Sequence, residues 1–167
     1  MSMIRNLATS IFSYMYARSL KKQHQYKSQK AQIRNDVVDF EIDEDAGLEV
    51  YWKIIKVAEG PALIFHALGY EVLRFDTCIN GQAHFHTQLV ECEQKSESRL
   101  FLPEETVEKQ IDRIIFELEN NLYYWLQRHP DRQIRSLRFN QARFKAATGK
   151  AKKKMLEFAE KLKVGIT

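Results

Sequence analysis

Apolar residues recur along this chain with two different periods, and the places where the period changes divide it. In residues 2–20, Ile4, Leu7, Ala8, Ile11 and Met15 stand three or four residues apart, the spacing of one helix face, with Ser2 placed to cap it. Residues 21–32 (KKQHQYKSQKAQ) lose the stripe yet contain neither Gly nor Pro, as in a solvated helix extension or a connector. From Val37 the period shortens to two. Residues 37–42, 48–57, 62–68, 70–78 and 82–90 are rich in β-branched and aromatic side chains, a strand composition. Turn signals separate them at Asp43 to Gly47, at Glu59-Gly60-Pro61, at Gly69 and at Asn80-Gly81. Connections this short can only join antiparallel neighbours, so an antiparallel meander of about five strands is predicted, with residues 99–102 as a short edge strand.

The helical period then returns. After Pro103, a favourable first residue for a helix, come Val107, Ile111, Ile114, Ile115, Leu118, Leu122, Trp125 and Leu126 on one face. Glu104, Glu105 and Glu108 complement the helix dipole, and His129-Pro130 is the expected stop. A less regular segment follows at 133–147, then a break at Gly149. Beyond it a last stripe is formed by Ala151, Met155, Phe158, Ala159 and Leu162. The reading is a single α+β domain: a basic N-terminal helix and connector (1–36), the meander (37–102), a long packing helix (103–128) and a basic, amphipathic C-terminal helical segment (129–167).

Composition narrows the picture. With 44% hydrophobic and 29% charged residues over 167 positions, the chain has the make-up of an ordinary globular domain. Cys78 and Cys92 form neither a disulfide framework nor a zinc clip, which points to a reducing, cytoplasmic setting. No run approaches the roughly 18 apolar residues of a membrane span. The N-terminal segment, free of acids before Asp36, also has the composition of an organellar transit peptide.

Charge is unevenly spread: residues 1–36 carry +6, residues 37–127 carry −11 and residues 128–167 carry +9. Two explanations stand. The basic ends, Lys152, Lys153 and Lys154 (KAKKK) above all, bind an anionic partner such as nucleic acid, or they fold back on the acidic centre of the same chain. The second needs no partner and is the one expected.

The stretch 70–88, YEVLRFDTCINGQAHFHTQ, holds the candidate chemistry. A two-residue Asn80-Gly81 turn would place Asp76 opposite Phe85 and mix polar with apolar residues on both faces. A three-residue loop with Gly81 in the left-handed conformation instead pairs Phe75 with Phe85, Asp76 with His84 and Arg74 with His86, and the faces separate. That register gathers Arg74, Asp76, His84 and His86 on one face. The quartet can be read as cross-strand ion pairs on a wetted surface. It can also be an acid–base site in which Asp76 orients His84 or His86 while Arg74 holds a phosphate. A third reading is a two-histidine, one-carboxylate metal set. Spacing alone assigns no metal ligand, and no motif calls for a cofactor: there is no Gly-rich phosphate loop, GxSxG elbow or HExxH. Tyr123-Tyr124-Trp125 is read as core or interface.

Through Leu73-Arg74-Phe75-Asp76-Thr77, Gly81, His84, His86 and a following helix with Asn120-Asn121, residues 62–127 resemble small uncharacterised bacterial proteins with an RFDT strand, a Gly turn, an HxH strand and a helix. The pattern is loosely similar to the TumE-type toxins of toxin–antitoxin pairs, although the doubled histidines and prolines of that group are absent. Two functions are therefore carried forward. One is a non-catalytic interaction or scaffold domain that pairs with a second copy, a protein or an anionic partner. The alternative is the small ribonuclease-like enzyme that the toxin resemblance implies, with Asp76, His84 and His86 catalytic and Arg74 binding the anion.

Overall fold

The computed structural model describes residues 33–55, 58–79, 81–87 and 99–164. The expected N-terminal helix, most of its connector and Cys92 lie outside them. Among the described residues six strands form one antiparallel sheet in sequence order: β1 (Ile33–Asp43), β2 (Ala46–Ile55), β3 (Ala58–Ala67), β4 (Tyr70–Asp76), β5 (His84–Thr87) and β6 (Arg99–Phe101). The helices α1 (Val107–Leu126), α2 (Arg132–Arg135) and α3 (Gln141–Val164) follow. This is the α+β meander expected, and the sixth strand is the short edge strand anticipated at residues 99–102.

Local chemistry explains most joints. Glu44 and Asp45 turn β1 into β2. Leu68 and Gly69 turn β3 into β4 with both residues at positive φ (51° and 82°), as hairpin turns of the I′ class require. Glu59-Gly60-Pro61 is not a turn: it lies inside β3, with Lys53 opposite Gly60 and Trp52 opposite Pro61. Proline is tolerated there because its nitrogen faces the last rung of the β3–β4 ladder. The Pro61 carbonyl accepts from the Thr77 amide and hydroxyl just past the end of β4, and no rung beyond needs the missing donor.

Helix α1 begins at Val107 rather than at Pro103. Thr106, in extended conformation, caps it by accepting from the Lys109 amide at 3.3 Å, and of the three glutamates only Glu108 falls in the first turn. Helix α3 starts where Asn140 Oδ1 accepts from the amides of Ala142 and Arg143. It runs through Gly149 without a break. The stripe Phe144, Ala147, Ala151, Met155 and Phe158 crosses that glycine on the buried side, and its burial outweighs the roughly 1 kcal/mol that glycine costs a helix interior.

One face of the sheet carries the core. Leu48 and Val50 of β2, Leu63 and Phe65 of β3, Leu73 and Phe75 of β4, and Phe85 of β5 meet Ile111, Ile114, Leu118 and Leu122 of α1 and Phe144, Met155 and Phe158 of α3 in a single cluster. Aromatic edges fix the docking: Phe85 meets Trp125 at 5.3 Å, Phe65 meets Phe139 at 5.8 Å and Trp52 meets Phe158 at 6.0 Å between ring centroids. The opposite face has its own small buried cluster, Tyr51, Ala62 and Ile64, and it is there that the charged residues converge.

Candidate active site

Two cross-strand rows cross this second face. Tyr51, Ala62, Asp76, His84 and Phe101 form one; Glu49, Ile64, Arg74, His86 and Arg99 form the other. Asp76 therefore faces His84 directly and Arg74 faces His86, the register that face separation predicts. Gly81 adopts the left-handed conformation (φ 70°). The connection is longer than three residues, however, because the ladder stops at Asp76 and resumes at His84. Gln110 of α1 ties it down from beneath, accepting from the Cys78 amide and donating to the Cys78 carbonyl, both at 3.0 Å.

All four predicted residues come together around the Asp76 carboxylate. Its Oδ2 lies 3.4 Å from Arg74 Nε, 3.4 Å from His86 Nε2 and 3.6 Å from His84 Nε2. A fifth residue, unforeseen, completes the group: Lys53 of β2 places Nζ 3.4 Å from Asp76 Oδ1. It reaches across β3, where Gly60 opposite it and Ala62 beside it leave the space. Lys53 and Asp76 are each only 2% exposed, His86 is 5%, His84 is 13% and Arg74 is 15%. The reading of a wetted surface of loose ion pairs does not fit such burial.

The sequence hides Lys53, because a turn at Glu59-Gly60-Pro61 is incompatible with the β2–β3 register that places it here. The available signal was a lone lysine inside the strand YWKII, on the same face as Tyr51 and opposite a glycine.

Burial alone would raise the Asp76 pKa. The His86 hydrogen bond and the charges of Lys53 and Arg74 oppose it and prevail, holding the carboxyl well below its ordinary value. His84 is displaced downward from its ordinary value, chiefly by burial, against the pull of the Gln82 carbonyl and of Asp76. Its Nδ1 is 2.7 Å from the Gln82 carbonyl oxygen, which can only accept, so Nδ1 carries the hydrogen. The neutral ring then has a bare Nε2, aimed at His86 Nε2 3.0 Å away. Arg74 is oriented by Glu71, which accepts from Nη1 at 3.2 Å.

The C-terminal lysines take no part in this cluster. Lys152 pairs with Asp112 of α1 at 2.8 Å, Lys154 pairs with Glu157 at 3.2 Å and lies over the Phe158 ring, and Lys153 is exposed. Lys161 reaches Asp36 at 3.1 Å and Arg143 reaches Asp43 at 3.9 Å, so basic residues of α3 meet acids elsewhere in the domain. Tyr123 and Trp125 pack on the core, whereas Tyr124 is exposed beneath the Arg128 guanidinium, 3.4 Å from its ring centroid. No protein family, curated protein or solved structure matches this chain.

Proposed function

We propose that this chain is a small phosphoester-cleaving enzyme of ribonuclease-like type, with its centre at Lys53, Arg74, Asp76, His84 and His86. The observation that carries the reading is the convergence of four polar side chains, from β2, β4 and β5, on one buried carboxylate. Such burial is a poor source of stability, because desolvation of the charges consumes most of what the pairing returns. Its chemistry is better suited to use. Two cations, Lys53 and Arg74, stand beside the Asp76 carboxylate, and a guanidinium fork such as that of Arg74 matches the geometry of phosphate oxygens.

The roles follow from position. Arg74, oriented by Glu71 and partly exposed, meets the anion, and Lys53 adds charge from below. His84 Nε2, free of a proton, takes the proton of the attacking hydroxyl as its oxygen bonds to phosphorus; the bond to the leaving oxygen breaks and that oxygen takes a proton from water, while Asp76 and the Gln82 carbonyl fix the two rings. Phe101 stands 5.8 Å from His84 and is 66% exposed, an aromatic face on which a base can stack beside the reacting group.

The test is hydrolysis of a single-stranded RNA oligonucleotide and of bis(p-nitrophenyl) phosphate by the full chain. The expected result is turnover that falls by about 100-fold or more in His84→Ala, the range of a lost general base, with the circular dichroism of the fold retained. A wild-type chain inert on both substrates sinks the reading. The scaffold alternative keeps one observation in its favour, the exposed apolar side chains of Leu100 and Phe101 on β6, which suit contact with a second copy.

A further inference from the structure

We infer that His84 Nε2, His86 Nε2 and Asp76 Oδ2 form a binding site for one divalent transition-metal ion of the zinc class. The site stands on geometry, and only the use of the ion in hydrolysis rests on the phosphoester reading.

The three donor atoms form a triangle with edges of 3.0, 3.4 and 3.6 Å. Nitrogen and oxygen ligands lie about 2.0–2.1 Å from zinc, so neighbours in a tetrahedral shell stand about 3.3 Å apart, and those at right angles about 3.0 Å. The triangle is thus of the size that a single ion would span from one side, leaving its remaining positions open.

The donor set is chemically ready. A metal ligand must offer a lone pair, and the Gln82 carbonyl holds the His84 proton on Nδ1, leaving Nε2 bare. His86 needs only the other neutral tautomer, with its proton on Nδ1, to offer Nε2 as well. The i, i+2 spacing of the two histidines puts both rings on one side of β5, and the antiparallel register supplies the carboxylate from β4.

The surroundings complete the case. A ligating carboxylate is ordinarily held by outer partners, and Asp76 has Lys53 on Oδ1 and Arg74 on Oδ2, each at 3.4 Å. Two imidazole nitrogens pointed at each other can share at most one hydrogen bond while both rings are neutral, whereas an ion between them and Oδ2 uses all three lone pairs at once. The two nearby cations oppose an added positive charge, so the site is moderate in affinity and takes a borderline ion with nitrogen preference ahead of Mg²⁺ or Ca²⁺.

Metal-free full-length protein titrated with Zn²⁺, and with Co²⁺ as a spectroscopic stand-in, tests the proposal. The expected result is one ion per chain, a visible Co²⁺ band of a low-coordinate nitrogen and oxygen site, and a melting temperature that rises on adding Zn²⁺. Affinity should fall by about 100-fold or more in His84→Ala and in Asp76→Asn. Should Asp76→Asn not fold, the more exposed His84→Ala still decides. Absence of saturable Zn²⁺ or Co²⁺ binding by the wild type overturns the proposal, and so does binding that His84→Ala leaves unchanged. Parallel RNA hydrolysis assays separate the two readings. Binding without hydrolysis upholds the metal site and removes the enzyme, while undiminished hydrolysis by metal-free protein upholds the enzyme with His84 as its base and removes the ion from the reaction, leaving the titration to decide the site.

Discussion

Phe75 and Asp76 are neighbours in β4 and look out from opposite faces of the sheet. Phe75 stacks on Phe85 at 5.1 Å and lies within a cluster shared with both long helices. Asp76, equally buried, has two cations and two imidazoles for company. The helical face is tolerant chemistry: any well-shaped apolar set fills it, and each side chain contributes by leaving water. The other face is specific chemistry, since a buried charge is tolerable only while its partners stay in place. One sheet thus carries a surface built for stability and a surface whose residues make sense only as a group.

Truncation on the helical face is the largest test of that contrast. Phe65→Ala should cost about 3–5 kcal/mol in urea unfolding, the range for buried aromatics, because Phe65 is fully buried and its ring meets Phe139. A loss below about 1 kcal/mol would mean that this face is not the core. On the charged face, Asp76→Asn leaves Lys53 and Arg74 without their counter-charge and should cost about 3 kcal/mol. The double variant Lys53→Met with Asp76→Asn should recover part of that loss, whereas strict additivity would show that the pair is not coupled.

The smallest effect is the response to pH in metal-free buffer. His84 and His129 both have pKa values below the ordinary histidine value, mainly through burial. Just below about pH 6.5 the unfolded chain therefore binds protons that the fold refuses, and stability falls on acidification. The depressed Asp76 pKa adds a further loss only below about pH 4, where the unfolded carboxyl takes up a proton. Denaturant midpoints at pH 7.5 and pH 5.5 should differ in that direction, and His84→Gln should reduce the difference. A midpoint rising on acidification would contradict the neutral state assigned to His84.

The amino-acid sequence by itself determined the meander, the existence of the long helix that follows it and the pairing of Asp76 with His84. These are local matters: alternation, turn residues and a left-handed Gly81 are written within a few positions of one another, and one-residue slippage would have turned Phe75 and Phe85 out of the core. Other features are set between elements distant in the chain, and only the tertiary structure decided them. Gly60-Pro61 signals a turn by composition, yet it lies within β3 because the end of β4 removes the need for the proline's donor. Gly149 signals a break, yet α3 passes through it because the apolar stripe on both sides is buried against the sheet and α1. Lys53 joins Asp76 from 23 residues earlier, across a strand whose small side chains leave the way open, and that contact exists only once three strands have been laid side by side.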